Sequence, residues 1–283
     1  MTTRRMLVGL IGANITRSLA PALHADAFAA AKIDGYYHLM DVDRLPGRSL
    51  ADLLAAVKAA GFVGTNVTFP FKQDVLSLID TVDPDAREMG AVNTVCITPD
   101  GRTVGYNTDK LGFRRSFEEG LGRVSAEAAT VVIVGAGGAG RAVAFALMEL
   151  GAAQLILHDR EPEQAEKLAR DLASRYGAAS CRLAKDLDKE IAVAQGVVNA
   201  TPLGMHGFPG NPIPESALRP DHWAADVIYT PIKTDFLKAA AARGARILTG
   251  GGMCVYQAAE AFRLFTGIEP DVSRMHRAFA SAQ

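Results

Sequence analysis

The run Val131-Val132-Ile133-Val134-Gly135-Ala136-Gly137-Gly138-Ala139-Gly140 restricts the fold of this chain more than any other stretch. Four β-branched residues in succession favour an extended strand, and apolar side chains on both of its faces require burial, as in a parallel sheet. The glycines then end the strand abruptly. Gly135 permits a tight turn, Gly137 lets the backbone approach a ligand, and Gly140 permits close packing of the following helix on the strand. Gly138 and Ala139 complete a turn that opens the predicted helix Gly140–Leu150, whose free N-terminal amides favour an anion. Strand, turn and helix in this order predict a dinucleotide-binding α/β unit.

The same rhythm continues downstream. Strands are predicted at Gln154–His158, Gly196–Asn199, Trp223–Val227 and Ala245–Leu248, with a helix over Pro162–Tyr176. Strands alternating with helices imply a doubly wound parallel sheet, which binds ligands at the carboxyl ends of its strands. Asp159 closes the second strand, about twenty residues beyond the glycine turn, the spacing of the acid that receives an adenosine ribose hydroxyl in NAD sites. Its carboxylate would repel the 2′-phosphate of NADP, whereas the adjacent Arg160 would accommodate it. Asp159 and Glu161 together favour NAD over NADP. The plainer reading of Asp159 is a turn residue beside a solvated arginine.

Upstream lies a second α/β unit. Met6–Ile11 reads as a strand, Pro21–Lys32 as a helix, Tyr36–Asp41 as a strand, Leu50–Ala60 as a helix and Gly64–Thr68 as a strand. Ala91–Thr98 and Arg102–Tyr106 flank Asp100-Gly101, a hairpin signal. A helix over Leu111–Glu119 and a connection over Gly120–Ala129 lead into the glycine-rich unit. Helices are expected at Met253–Phe265 and Asp271–Ser281, packing back on the first unit. The domains expected are therefore 1–110 together with about 253–283, and 111–252.

Two stretches of the first unit carry chemistry: Asn66-Val67-Thr68-Phe69-Pro70-Phe71-Lys72 and Asn107-Thr108-Asp109. Each sets an ionisable residue just past an extended segment, where the two are expected to meet in one cleft. Lys72 reads as the start of a short helix, Lys72–Leu78, where the dipole disfavours a cation. That points to function, against the ordinary reading of a solvated lysine. Asp109 reads as the N-cap of a helix from Lys110, a role compatible with a functional one. Asn93, in a β-rich run, is an amide that needs partners if buried, and a polyhydroxylated ligand would supply them. His24 reads as structural. A Lys/Asp pair moves protons and a dinucleotide carries hydride, a combination that suggests an alcohol dehydrogenase acting by cleft closure.

Composition removes other classes. Among 283 residues, 30 Lys and Arg against 31 Asp and Glu leave a formal charge of −1, and the basic residues are scattered, which argues against nucleic acid. Cys96, Cys181 and Cys254 lie far apart with no histidine at ligand spacing, so no metal site is expected. No apolar run approaches the roughly 20 residues of a membrane span, and Leu7–Ile11 is too short for a signal peptide. A cytoplasmic protein is expected, as monomer or homodimer.

Taken in order, these motifs resemble the shikimate dehydrogenase family over nearly the whole chain. The matching stretches are Gly9–Gly12 through Ser18, Pro21–His24, Asn66–Lys72, Gly90–Thr94, Asn107–Asp109, Gly135–Gly140, Asn199–Met205 and Gly250–Gln257. The resemblance implies reversible NAD(P)-dependent oxidation of the 3-hydroxyl of shikimate or quinate, an alicyclic hydroxy acid. It implies that Lys72 and Asp109 form the catalytic pair, and that Ser18, Thr68, Asn93 and Gln257 contact the substrate, with Asn66 and Tyr229 nearby. Thr201, Val227, Gly250 and Met253 would line the nicotinamide end of the cofactor. Two positions depart from the family pattern. His158-Asp159-Arg160 replaces the Asn-Arg-Thr typical of NADP-using members and is similar to NAD-preferring quinate/shikimate dehydrogenases. Ala20 stands where a second hydroxyl residue is usual, at a loss of roughly 1.5–3 kcal/mol in holding a carboxylate. Ala20 also leaves open a modified substrate such as an amino-shikimate, and a catalytically idle dinucleotide sensor is the reading from outside enzymology.

Overall fold

Met6 is buried between exposed Arg5 and Leu7, and from Val8 to Gly12 every residue is buried, so β1 (Arg5–Gly12) starts at a sheet margin and runs into its centre. The computed structural model describes residues 5–283. It divides into two compact units: one runs to Thr108 and resumes over Val255–Gln283, the other is Asp109–Cys254.

In the first unit β1 is followed by α1 (Ala20–Ala30), β2 (Asp34–Asp41), α2 (Leu50–Ala59), β3 (Gly64–Val67), β4 (Thr81–Val82), α3 (Pro84–Met89), β5 (Thr94–Ile97) and β6 (Thr103–Tyr106). The sheet order is β2-β1-β3-β5-β6-β4. Strands β2, β1 and β3 run parallel, whereas β5 is antiparallel to both β3 and β6. Ile11, Val67 and Val95 from the sheet pack with Leu53, Leu54 and Val57 of α2. Ser49 and Asp52 close a capping box at the start of α2, which satisfies two amides that a helix start leaves unpaired.

The second unit comprises α4 (Asp109–Gly120), β7 (Thr130–Val134), α5 (Gly138–Glu149), β8 (Gln154–His158), α6 (Pro162–Tyr176), β9 (Cys181–Leu183), α7 (Leu187–Val193), β10 (Gly196–Asn199), β11 (Trp223–Asp226), α8 (Asp235–Ala242) and β12 (Arg246–Leu248). Its sheet order is β12-β11-β10-β7-β8-β9, parallel throughout. The first strand, β7, lies at the middle, with successive strands added outward on each side, the doubly wound arrangement with a switch point between β7 and β10. The fold is thus α/β, with a mixed sheet in the first unit and a Rossmann-type parallel sheet in the second. Two helices complete the chain, α9 (Gly250–Thr266) and α10 (Val272–Ala282). In the first unit Phe262 of α9 packs on Phe28 and His24, and Arg274 of α10 forms a two-pronged ion pair with Asp26 of α1.

Several local expectations are corrected. No α-helix starts at Lys72; the chain turns there and only Asp74–Ser77 is helical, as a 3₁₀ turn, so the dipole argument for Lys72 lapses. Asp109 is the first helical residue of α4 and not its cap. Helix α1 stops at Ala30, and Lys32 takes a left-handed conformation at φ 56°. Helix α9 begins at Gly250, three residues before the predicted start at Met253; its first residue lies so close to the carbonyl oxygens of Val227 and Ile228 that a side chain would meet them at 2.4 and 2.5 Å. The short elements β4, α3, β9, α7 and α8 had no counterpart in the sequence reading.

Candidate active site

Strand polarity gathers the first unit's site residues at one end of its sheet. Parallel β1 and β3 both finish there, leading to Ser18 and to Thr68 and Lys72. Antiparallel β5 starts there, just after Asn93, and β6 finishes there, just before Thr108. Backbone bonds lock these segments together. Thr68 N–H donates to Ile11 O (2.9 Å), Ala13 N–H to Phe69 O (2.8 Å), Val67 N–H to Asn93 O (2.8 Å) and Val92 N–H to Lys72 O (2.8 Å). Lys72 is half-buried and is held through its own carbonyl to the strand-entry segment that carries Asn93.

Asn66 and Asn93 are buried; the Asn66 amide is fully engaged within the protein, whereas Asn93 keeps one amide hydrogen beyond its protein bonds. Asn93 Oδ1 accepts from Thr108 N–H (2.8 Å) and the Thr94 hydroxyl (2.9 Å), while its Nδ2 donates to Thr108 Oγ1 (2.9 Å). Asn66 Oδ1 accepts from the Tyr37 hydroxyl (2.8 Å) and its Nδ2 donates to Thr94 Oγ1 (2.9 Å) and Asn93 O (3.2 Å). The partners expected from a ligand are thus supplied in large part by Thr94, Thr108 and Tyr37, which the sequence reading had not singled out. Their signal was the hydroxyl beside each motif asparagine. Ser18 Oγ accepts from Ala20 N–H (3.3 Å). Ala20 itself is buried in the first turn of α1. Thr68 lies against Gly12, where a side chain would come within 2.3 Å of its methyl carbon. Gln257 is half-buried on α9. His24 is wholly buried and stacks on Tyr37 with ring centroids 4.5 Å apart; burial holds its pKa down at about 3, so the ring is neutral.

In the second unit the carboxyl ends of the parallel strands lead to Gly135, Asp159, Thr201, Val227 and Gly250. Gly135 has φ 104°, and a side chain there would meet Ala200 and Thr201 backbone at 2.7–2.9 Å, so the turns after β7 and β10 touch at the switch point. A side chain on Gly140 would fall 1.9 Å from Gly135 O, which enforces the close helix–turn contact. Gly137, the N-cap of α5, makes no side-chain cap, and a Cβ there would meet nothing within 4 Å. A twelve-residue helix whose first amides face open space fits a dinucleotide pyrophosphate. Asp159 Oδ2 accepts from Ala136 N–H (2.7 Å) and Oδ1 from Glu161 N–H (2.9 Å), which ties this acid to the glycine turn. Arg160 is 90 % exposed and 3.5 Å from Glu161. Gly138 and Ala139 form the first turn of α5, Met253 is buried in the first turn of α9, and Tyr229 is half-buried after β11. Asp109 is buried in the first turn of α4, beside Lys110, whose Nζ lies 2.5 Å from Glu149 of α5.

Two polar residues here were missed as side chains. Asn199 and Asp226 end neighbouring strands β10 and β11 and bond to each other, Asn199 Nδ2 donating to both Asp226 oxygens at 3.2–3.3 Å. A polar residue ending a buried parallel strand was the available signal. Among the described residues, no group of three or more His, Cys, Asp or Glu is placed to hold a metal, and no helix is long and apolar enough to cross a membrane.

Comparison with known proteins accounts for the same segments. Residues 10–95 match the shikimate dehydrogenase substrate binding domain, 118–203 the shikimate/quinate 5-dehydrogenase model and 250–278 the shikimate 5′-dehydrogenase C-terminal domain. A quinate/shikimate dehydrogenase (NAD(+)) of Corynebacterium efficiens is 48 % identical over 280 residues, 98 % of each chain. A shikimate dehydrogenase (NADP(+)) of Streptomyces avermitilis is 46 % identical, covering 97 % of this chain and 95 % of its own. The crystal structure of quinate dehydrogenase from Corynebacterium glutamicum in complex with NAD superposes with a TM-score of 0.89 at 44 % identity, over 99 % of this chain and all of the other.

Proposed function

The chain belongs to the shikimate dehydrogenase family of oxidoreductases, and from that premise we propose that it interconverts quinate or shikimate and the 3-dehydro acid with NAD as cofactor. The first unit is assigned most contacts to the acid, and the second the dinucleotide. The observation that carries this reading is the gathering of Ser18, Thr68, Lys72 and Asn93 at one sheet end. A small acid rich in hydroxyls needs such a set of hydroxyl, amide and ammonium groups.

When bound, the dinucleotide supplies the hydride acceptor or donor. The remaining chemistry falls to the protein's own residues. Lys72 Nζ, as the neutral amine, accepts the hydroxyl proton during oxidation, and as the resulting ammonium returns it during reduction. Asp109, the first residue of α4, accepts a hydrogen bond from a substrate hydroxyl. Ser18 Oγ already accepts the Ala20 amide, so its own proton remains to donate to the substrate carboxylate. Ala20 adds no hydroxyl, and the carboxylate is held by one side chain fewer at this segment. Gln257, Tyr229 and the remaining amide hydrogen of Asn93 are assigned to the substrate, while Asn66 keeps the sheet end rigid. Thr201, Val227, Gly250 and Met253 are assigned to the nicotinamide half.

NAD is favoured over NADP by Asp159. Its carboxylate faces the glycine turn, where a 2′-phosphate would meet a fixed negative charge, and the exposed Arg160 is drawn to Glu161. The free thiols of Cys96, Cys181 and Cys254 suit a reducing compartment, and we place the enzyme in the cytoplasm. A second reading rests on Ala20 alone: an acid with a modified ring, such as an amino-shikimate, would use the room that a hydroxyl side chain otherwise fills.

The test is a set of initial rates with quinate and shikimate, each with NAD and with NADP. Turnover with NAD on either acid, at least tenfold faster than with NADP, is the expected result. NADP-preferring turnover would overturn the assignment of Asp159. Dinucleotide binding without turnover on either acid would transfer the case to the Ala20 reading or to a sensor.

A further inference from the structure

Asp226 is the last residue of β11, 2 % exposed, and its carboxylate receives only neutral donors. Oδ1 accepts from Ile228 N–H (2.9 Å) and Oδ2 from the Thr234 hydroxyl (2.7 Å), and both accept from Asn199 Nδ2. Burial pushes its pKa up to about 6, so the group is charged at neutral pH with no cation among those contacts. A buried carboxylate held this way is expensive. Departures of this kind concentrate where function requires them.

The carboxylate has a directional consequence. It can only accept, so the NH2 end of the Asn199 amide must face it. Asn199 Oδ1 then faces the other way and accepts from Thr201 N–H (3.0 Å) and the Thr201 hydroxyl (2.7 Å). Having given its proton to Asn199, Thr201 Oγ1 is left to accept from Leu203 N–H (3.1 Å). Asn199 Nδ2 also donates to Leu203 O (3.1 Å), and its backbone oxygen accepts Val227 N–H (3.1 Å). One carboxylate therefore sets the sense of the side-chain hydrogen bonds that run from Leu203 through Thr201 and Asn199 back to β11. The segment so fixed is the one that lies against Gly135 in the glycine turn.

We propose that Asp226 is a positioning residue for dinucleotide binding: by orienting Asn199 it holds Thr201–Leu203 and Val227–Ile228 in the shape the cofactor requires. This inference rests on the assignment of the second unit to the dinucleotide. Asp226 itself touches neither cofactor nor substrate in this account.

The test is calorimetric titration of NAD, without acid, into wild type, Asp226→Asn and the exchanged pair Asn199→Asp with Asp226→Asn, with melting followed on each sample. In the single variant an amide can turn its own NH2 toward Asn199, so the orientation of Asn199 is lost and NAD binds about tenfold or more weakly. The exchanged pair restores one acceptor-only group beside one amide. Thr201 again finds an oxygen at position 199, but Leu203 O loses the donor that Asn199 Nδ2 gave it, so affinity recovers in part, at least threefold over the single variant. A merely structural role would lower the melting temperature of both variants without this recovery of affinity. Folded Asp226→Asn that binds like wild type, or an exchanged pair no better than the single variant, would overturn the proposal. Should the single variant fail to fold, the exchanged pair decides alone: affinity within about tenfold of wild type supports the proposal and a larger loss refutes it. Wild type that binds no NAD would sink the dinucleotide assignment and this inference together.

Discussion

The two units present polar groups at one end of a sheet with different materials. In the parallel unit the presenting surface is largely backbone: Gly135, Gly137 and Gly140 clear space for a helix N-terminus, and side chains such as Asn199 and Asp226 stand behind it. In the mixed unit the surface is side chains. Asn66 spends its amide on Tyr37 and Thr94 and Asn93 most of its own on Thr94 and Thr108, while Ser18, Thr68, Lys72 and the rest of Asn93 are the groups assigned to the ligand. Antiparallel β5 makes this possible, because it enters from the same end at which β1 and β3 finish. A site for a phosphate-bearing cofactor can be built from amides that every residue carries. A site for a small hydroxy acid needs particular side chains, each fixed by a second one.

The sharpest way to break this division is at Lys72. Lys72→Ala is expected to lower kcat by about two to four orders of magnitude, with the melting temperature unchanged. Initial rates with both acids would show it, and a loss below tenfold would remove Lys72 from proton transfer.

Asn93→Ala comes next. It strips the acceptor from Thr108 N–H and the Thr94 hydroxyl in a buried place, at a cost of about 3 kcal/mol in stability. Urea unfolding measures this, and a loss under 1 kcal/mol would mean that water or a shifted Thr108 replaces the amide. The backbone site offers the opposite test. Gly137→Ala adds a methyl group that meets no protein atom within 4 Å, so stability should hold while NAD binding weakens about tenfold by titration. Unchanged binding would mean that no ligand approaches this glycine.

The contrast between the two units extends to pH, where their buried groups pull in opposite directions. The His24 pKa is depressed from 6.5 to about 3 in the folded protein, so the unfolded chain takes up the proton first. Its contribution is intact above pH 6.5 and declines as pH falls toward 3, by at most about 1.4 kcal/mol per pH unit. The Asp226 pKa is raised from 3.8 to about 6, so its penalty is absent below about pH 4 and grows as pH rises to 6. Relative to His24→Phe, wild type should lose stability between pH 6 and 4 in denaturant titrations. Parallel profiles would show that His24 acquires a partner for its proton.

The parallel unit was legible because its signals are local. The β-branched run, the glycines and the acid after the second strand each occupy one short window, and each sits in the structure where that window implies. The mixed unit was legible as motifs but not as contacts, since Asn66 meets Tyr37 and Thr94, and Asn93 meets Thr108, only after distant strands pair. Lys72 shows the limit most clearly. A helix is expected over Lys72–Leu78, but the Lys72 carbonyl accepts from Val92 N–H of the neighbouring segment, and the chain turns there instead. Asp226 escaped notice for a similar reason: an aspartate ending a strand looks like any turn residue until Asn199 and Thr234 close around it.

The division of labour itself is tested most directly by titrating NAD into Lys72→Ala beside wild type, each sample also assayed for turnover. The account predicts equal affinity within about twofold while turnover is all but lost, because the dinucleotide is assigned wholly to the other unit. Affinity that falls together with turnover would contradict it, and would place Lys72 in the cofactor site instead.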